Sequence, residues 1–177
     1  MKAESDTQAL PLRCALLTIS DRERPEGDTS GDLLAERLRA AGHLCVDRAR
    51  SPANLYAIRR QLSLWIADEG VQVVLCNGGT GYGRGKVTVA AVQPLLDRSV
   101  PGFGELFRQL SYQDIGSAAL QSDALAGLAN DTLIFCLPGA PDACALAWDR
   151  LLREQLDSRH RPCNFASAYR SRRLADT

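Results

Sequence analysis

Short apolar runs and helix-period stretches alternate along the chain. Arg13 to Ile19 (RCALLTI) is a run of strand type that stops at Ser20-Asp21-Arg22. After a polar loop, Leu33, Leu34, Leu38 and Ala41 recur at helical spacing, with Gly42 placed as a stop. His43 to Ala49 reads as a second, weaker strand, and Ser51-Pro52 starts a helix with Leu55, Ile58, Leu62, Trp65 and Ile66 on one face, closing near Gly70. Val71 to Leu75 is apolar and rich in β-branched residues, the composition of a strand buried on both faces of a parallel sheet. Strand, helix, strand, helix, strand is two consecutive βαβ units, which implies parallel pairing.

Beyond the glycine-rich stretch that ends this third strand, Val87 to Leu96 predicts a short helix interrupted near Pro94. A helix with Leu106, Phe107 and Leu110 on one face follows Pro101-Gly102. Gly116 to Gly127, rich in Ala and Leu, predicts another helix. Asp131 to Leu137 (DTLIFCL) is a clear strand, and Ala143, Leu146, Ala147, Leu151, Leu152 and Leu156 mark a final amphipathic helix. The pattern divides the chain into a flexible N-terminal segment (1–12), one α/β domain (13–165) and a polar tail (166–177) holding Arg170, Arg172 and Arg173.

Composition narrows the classes without naming a function. At 177 residues the chain makes one domain of ordinary size. Acidic and basic residues balance at 21 each, so no net field argues for nucleic acid or an anionic membrane. The polar opening residues and the lack of a long apolar run predict neither signal peptide nor membrane span, hence a cytoplasmic protein. Of the six cysteines, Cys14, Cys45, Cys76 and Cys136 fall in or beside apolar runs, and no two have CxxC spacing, so they read as small buried thiols. Only His43 and His160 are present, without paired-ligand spacing, and no metal site is expected. Trp65 and Trp148, on apolar helical faces, read as core or subunit-contact residues, and Phe103 and Phe107 are candidates for a subunit contact.

Candidate chemistry concentrates in Asn77-Gly78-Gly79-Thr80-Gly81, which leaves the carboxyl end of the third strand, where open α/β sheets place ligands. A GxGxxG fingerprint fails, because the third glycine position falls on Arg84 or Lys86. A P-loop fails as well: Thr80 stands where its first glycine belongs, and Val87 follows Lys86. What remains is a turn whose backbone amides can approach an anionic small molecule closely, with one hydroxyl aimed inward. The alternative is that the glycines only make a tight strand-to-helix turn. Asp28-Thr29-Ser30, after the first strand, would lie beside this loop, or would simply cap the next helix.

Several motifs occur together in one order: Thr18-Ile19-Ser20-Asp21, Asp28-Thr29-Ser30-Gly31, Asn77 to Gly81, Pro101-Gly102-Phe103-Gly104-Glu105, Leu120-Gln121-Ser122 with Ala126-Gly127, Thr132 to Phe135 with Pro138-Gly139, and Arg161-Pro162-Cys163-Asn164-Phe165. By these the chain resembles the molybdopterin-binding MoaB/Mog family of molybdenum cofactor biosynthesis, on the MoaB side. The resemblance spans about Cys14 to Phe165. It implies a three-layer α/β/α fold with a mostly parallel sheet, assembly into homotrimers or homohexamers, and binding of molybdopterin, a dithiolene pterin phosphate, or of a pathway precursor. In active relatives the reaction is adenylylation of that pterin by ATP with magnesium. Carried over by position, Gly78, Gly79, Thr80 and Gly81 would hold the pterin, with Ser20, Asp28, Ser30 and Ser122 lining the pocket, Glu105 near it, and Pro138 and Gly139 in the loop beside it.

The chain also departs from this pattern. Lys86 occupies the position of the family's acidic residue after GGTG, and Pro52-Ala53-Asn54 replaces an acidic pair of the Mog branch. A lysine serves neither as magnesium ligand nor as general base at neutral pH. Asp123 stands where relatives carry arginine, so an exchanged Lys86–Asp123 pair is one expectation and two independent surface changes the other. Three functions stay open: adenylyl transfer by another arrangement, a non-catalytic pterin carrier, and a structural oligomer of the pathway.

Overall fold

The computed structural model describes residues 8–21 and 27–169. Six strands form one sheet in the order β2-β1-β3-β6-β5-β4. They are β1 (Arg13–Ile19), β2 (Leu44–Ser51), β3 (Val73–Asn77), β4 (Arg98–Ser99), β5 (Leu125–Ala129) and β6 (Thr132–Leu137). β2, β1, β3 and β6 run parallel, and β5 and β4 add an antiparallel flank. β3 and β6 are buried along their whole length, as their uncharged sequences require, whereas β2, at the sheet edge, is largely exposed.

Alternate residues of the strands point into two cores. Leu16, Leu75 and Phe135 are in register and face a layer of α1 (Thr29–Ala40), α4 (Pro101–Ile115) and α5 (Pro141–Ala147). Leu17, Cys76 and Cys136 face α2 (Leu55–Ala67) and α3 (Thr88–Val92) on the other side. The result is the three-layer α/β/α arrangement with a mostly parallel sheet. Helix starts follow side-chain caps: Asp28 accepts from Gly31 N at 3.0 Å, and Asn54 accepts from Tyr56 N and Ala57 N at 3.0 and 2.9 Å. Asn54, and not Ser51-Pro52, therefore opens α2, while Ser51 closes β2.

The structure corrects the reading of 116–127. Gly116–Gln121 is a 3₁₀ turn and Leu125–Ala129 is strand β5, where a helix was expected. The helix propensity of Ala and Leu loses to pairing with β6 through a hairpin at Asn130 and Asp131, both at positive φ (45° and 66°). Leu10 and Leu12, in the segment expected to be flexible, are buried at 8% and 0% exposure, and Leu12 N donates to His43 Nδ1. Ala166 and Tyr169, in the expected tail, are buried too, while Arg170, Arg172 and Arg173 lie outside the described residues. Trp65 and Trp148 are core residues. Phe103 packs edge-on against Phe135 at 5.0 Å and stacks near Phe107 at 6.1 Å, inside the protomer.

Candidate functional site

The strand order places a topological switch point between β1 and β3: β1 is followed by β2 on one side, and β3 joins on the other. Crevices open at the carboxyl ends of such strand pairs. A cleft of about 610 Å³ lies there, lined from β1 and its loop by Thr18, Ser20, Asp21, Asp28 and Ser30, from the β3 loop by Asn77, Gly78 and Gly79, and from the β6 loop by Gly139.

Backbone approach brings these loops together. A Cβ on Gly78 (φ +93°) would stand 2.3 Å from Ile19 O, and one on Gly79 (φ +65°) 2.3 Å from Thr88 Oγ1. Gly78 N donates to Leu137 O at 3.1 Å, Ser30 Oγ to Gly139 O at 2.7 Å, and Thr88 Oγ1 to Gly78 O at 2.8 Å. The glycines thus let three loops close on one another, and Gly78 and Gly79 line the cleft where the loops meet.

Both cleft carboxylates are already engaged. Asp28 caps α1, accepts from Thr18 Oγ1 and lies 3.6 Å from Arg48, which also pairs with Asp32 at 2.7 Å. Asp21 Oδ1 accepts from Ala53 N at 2.7 Å, tying the β1 loop to the approach to α2. Thr18 Oγ1 also lies 3.0 Å from Asn77 Oδ1. Beneath the cleft, burial pushes the Cys144 thiol up to about 12; a hydrogen bond with Ser30 opposes the shift and Asp28 adds to it, so the sulfur stays a neutral packing group. Arg50, Arg84 and Lys86 line the same cleft, so its described wall carries three cations against two carboxylates.

Of the residues expected at the site, Ser20, Asp28, Ser30, Gly78, Gly79 and Gly139 line this cleft, and Lys86 with them. Thr80, Gly81, Glu105, Ser122 and Pro138 are not part of its wall. Gly81 turns toward the other end of the loop, where a Cβ would meet Gln121 O at 3.5 Å. Ser122 and Ala124 carbonyls receive Arg108 at 3.3 and 3.4 Å, Glu105 is exposed on α4, and Pro138 O accepts from Cys144 Sγ. No ion pair joins Lys86 and Asp123 among the described residues; Lys86 is exposed and lines the cleft, while Asp123 is half-buried and is not part of the cleft wall. Arg50 and Arg84 were not singled out by sequence reasoning. Arg50 follows from register, as the β2 partner of Thr18; Arg84 carried a signal in its place two residues before Lys86.

Comparison with known proteins agrees with this architecture. Residues 15–158 match the family model described as a probable molybdopterin binding domain. The chain belongs to the MoaB/Mog family of molybdenum cofactor biosynthesis. Molybdenum cofactor biosynthesis protein B of Escherichia coli K12 is 51% identical over 163 residues, covering 92% of this chain and 96% of that protein. The protein of the same name from Bacillus subtilis is 39% identical over 159 residues, covering 88% and 94%. Among solved structures, a molybdenum cofactor biosynthesis protein B superposes with a TM-score of 0.80 at 40% identity, covering 83% of this chain and 92% of that one. The tungsten cofactor synthesizing protein MoaB of Pyrococcus furiosus gives 0.71 at 30% identity, covering 81% and 92%.

Magnesium, which the resemblance implies for adenylylation, does not fit the described residues of the cleft. Asp21 and Asp28 are committed to backbone amides and to Arg48, Lys86 replaces the acid, and the described residues contain no group of three His, Cys, Asp or Glu side chains able to hold a metal ion.

Proposed function

We propose that this protein binds molybdopterin, or a precursor of it in the same pathway, in the cleft at the carboxyl ends of β1, β3 and β6. The observation that carries the reading is the convergence of Ser20, Asp28, Ser30, Gly78, Gly79 and Gly139, from three separate loops, on one cleft of about 610 Å³ in a member of this family. That volume is within the range of small-molecule sites. Hydroxyls and exposed backbone suit the polar edge of a pterin. Replacing Ala140, an exposed residue of the lining, by Trp fills the cleft without touching the core. Anaerobic fluorescence titration with molybdopterin should show Ala140→Trp weakened by about tenfold or more, with unchanged circular dichroism; equal affinity would overturn the assignment of the cleft.

Adenylylation by ATP is the reaction that goes with this ligand. Pyrophosphate release in the presence of molybdopterin and ATP, with and without magnesium, separates an adenylyltransferase from a carrier. We further propose that the protein works as a homotrimer or homohexamer in the cytoplasm. Free thiols at all six cysteines are in keeping with a reducing compartment, and Leu106, Tyr112 and Ile115 on α4 are exposed large apolar side chains of the kind that subunit contacts cover. Sedimentation equilibrium should give three or six protomers, and Ile115→Asp should shift the mass downward; a monomeric wild-type protein contradicts the assembly.

A further inference from the structure

We propose that Arg84 and Lys86 bind the phosphate of the cleft's ligand directly, with no divalent cation between protein and anion. This deepens the reading of the cleft as a pterin-phosphate site and rests on it. Both residues line the cleft on one turn, closed by Lys86 N donating to Gly83 O at 3.1 Å. Among the described residues, neither side chain makes a hydrogen bond or an ion pair, so both heads are available to a ligand. The cleft's two described carboxylates are in the opposite condition: Asp21 is held by Ala53 N, and Asp28 by Gly31 N, Thr18 and Arg48.

A divalent cation entering here would meet two unpaired positive heads and, among the described residues, a single unbonded carboxylate oxygen, Asp21 Oδ2, whereas a phosphate meets complementary charge. Lysine contributes a point charge and arginine a planar fork, both suited to phosphoryl oxygens. Because the two heads are exposed, their attraction is screened by salt and strengthened by a ligand of higher charge. The chemistry recognised is a phosphate monoester or a polyphosphate, which the pterin and a nucleotide can each supply.

Isothermal titration of the full chain with inorganic pyrophosphate, ATP, molybdopterin and 6-hydroxymethylpterin, each in EDTA and in excess magnesium, tests this. Pyrophosphate should bind in EDTA and bind more weakly in magnesium, because the metal competes for the anion. Arg84→Gln and Lys86→Asp should each lose about tenfold in EDTA, and Lys86→Asp should regain affinity when magnesium is added. Pyrophosphate binding that requires magnesium, that is absent in EDTA, or that neither substitution changes overturns the proposal. The arms keep it separate from the pterin assignment. If molybdopterin binds and pyrophosphate needs magnesium, only the metal-free anion contact fails; if pyrophosphate binds in EDTA and neither pterin binds, the pterin reading fails and the cation assignment stands. ATP bound more tightly than molybdopterin identifies the nucleotide as the source of the phosphate, and the reverse identifies the pterin.

Discussion

At the scale of single residues, the glycines of Asn77 to Gly81 do two jobs that the sequence shows as one. Gly78 and Gly79 are required by the protein itself, since each sits at positive φ and a Cβ on either would enter Ile19 or Thr88. Gly85 also has positive φ (+81°), but nothing lies within 4 Å of its Cβ position. The two kinds of site should respond differently to the same change. Gly85→Ala should cost about 1 kcal/mol, the penalty for a left-handed conformation alone. Gly78→Ala adds a collision with the Ile19 backbone and should cost more than about 2 kcal/mol. Urea unfolding of the two variants checks this, and equal losses would refute a special role for the approach to β1. The same contact explains why a ligand-cradle reading and a tight-turn reading of the loop are not exclusive: the turn is tight so that β1, β3 and β6 loops meet at one cleft.

At the scale of elements, what could be read from the sequence depended on whether a segment's own pattern agreed with its neighbours' demands. β1 appears at its expected bounds because RCALLTI is a run that only a buried strand accommodates. The segment 116–127 was misread because its Ala- and Leu-rich composition favours helix while its partner, β6, imposes antiparallel pairing. Asn130-Asp131, a dipeptide that tolerates positive φ, was the local sign of that hairpin. β4, two residues long, is held by pairing with Leu128 and Gly127 and has no sequence signature of its own. The site divides in the same way. Of the residues expected on loops that leave β1, β3 and β6, Ser20, Asp28, Ser30, Gly78, Gly79 and Gly139 line the cleft, whereas Thr80, Gly81 and Pro138 do not. Arg50 reaches the cleft by sheet register from the edge strand, which periodicity along one strand does not encode.

At the scale of the whole molecule, the segment before β1 is tied to residues distant in sequence, and one of those ties carries a titratable group. Leu10 N donates to Ser158 Oγ at 2.9 Å, and Leu12 N donates to His43 Nδ1 at 3.2 Å, with Asp157 nearby. Burial lowers the His43 pKa below its usual value, and Asp157 opposes that shift. Nδ1 must be unprotonated to accept from Leu12, so the folded protein holds a neutral imidazole. The unfolded chain takes up its proton near pH 6.5 and the folded one only at lower pH, so the unfolded state binds more protons in between. Stability therefore falls as pH drops from about 6.5 toward the folded-state value and levels off below it. Asp157 acts in a separate window: its hydrogen bonds with Arg159 hold its carboxyl below the ordinary range, and that contribution is present above about pH 3.9 and lost only under stronger acid. His43→Asn keeps an acceptor near the place of Nδ1 while removing the titration. Urea midpoints measured from pH 7.5 to 5 should slope downward in the wild type and more shallowly in His43→Asn. Identical slopes would place the acid sensitivity elsewhere and leave the His43–Leu12 contact without a role in it.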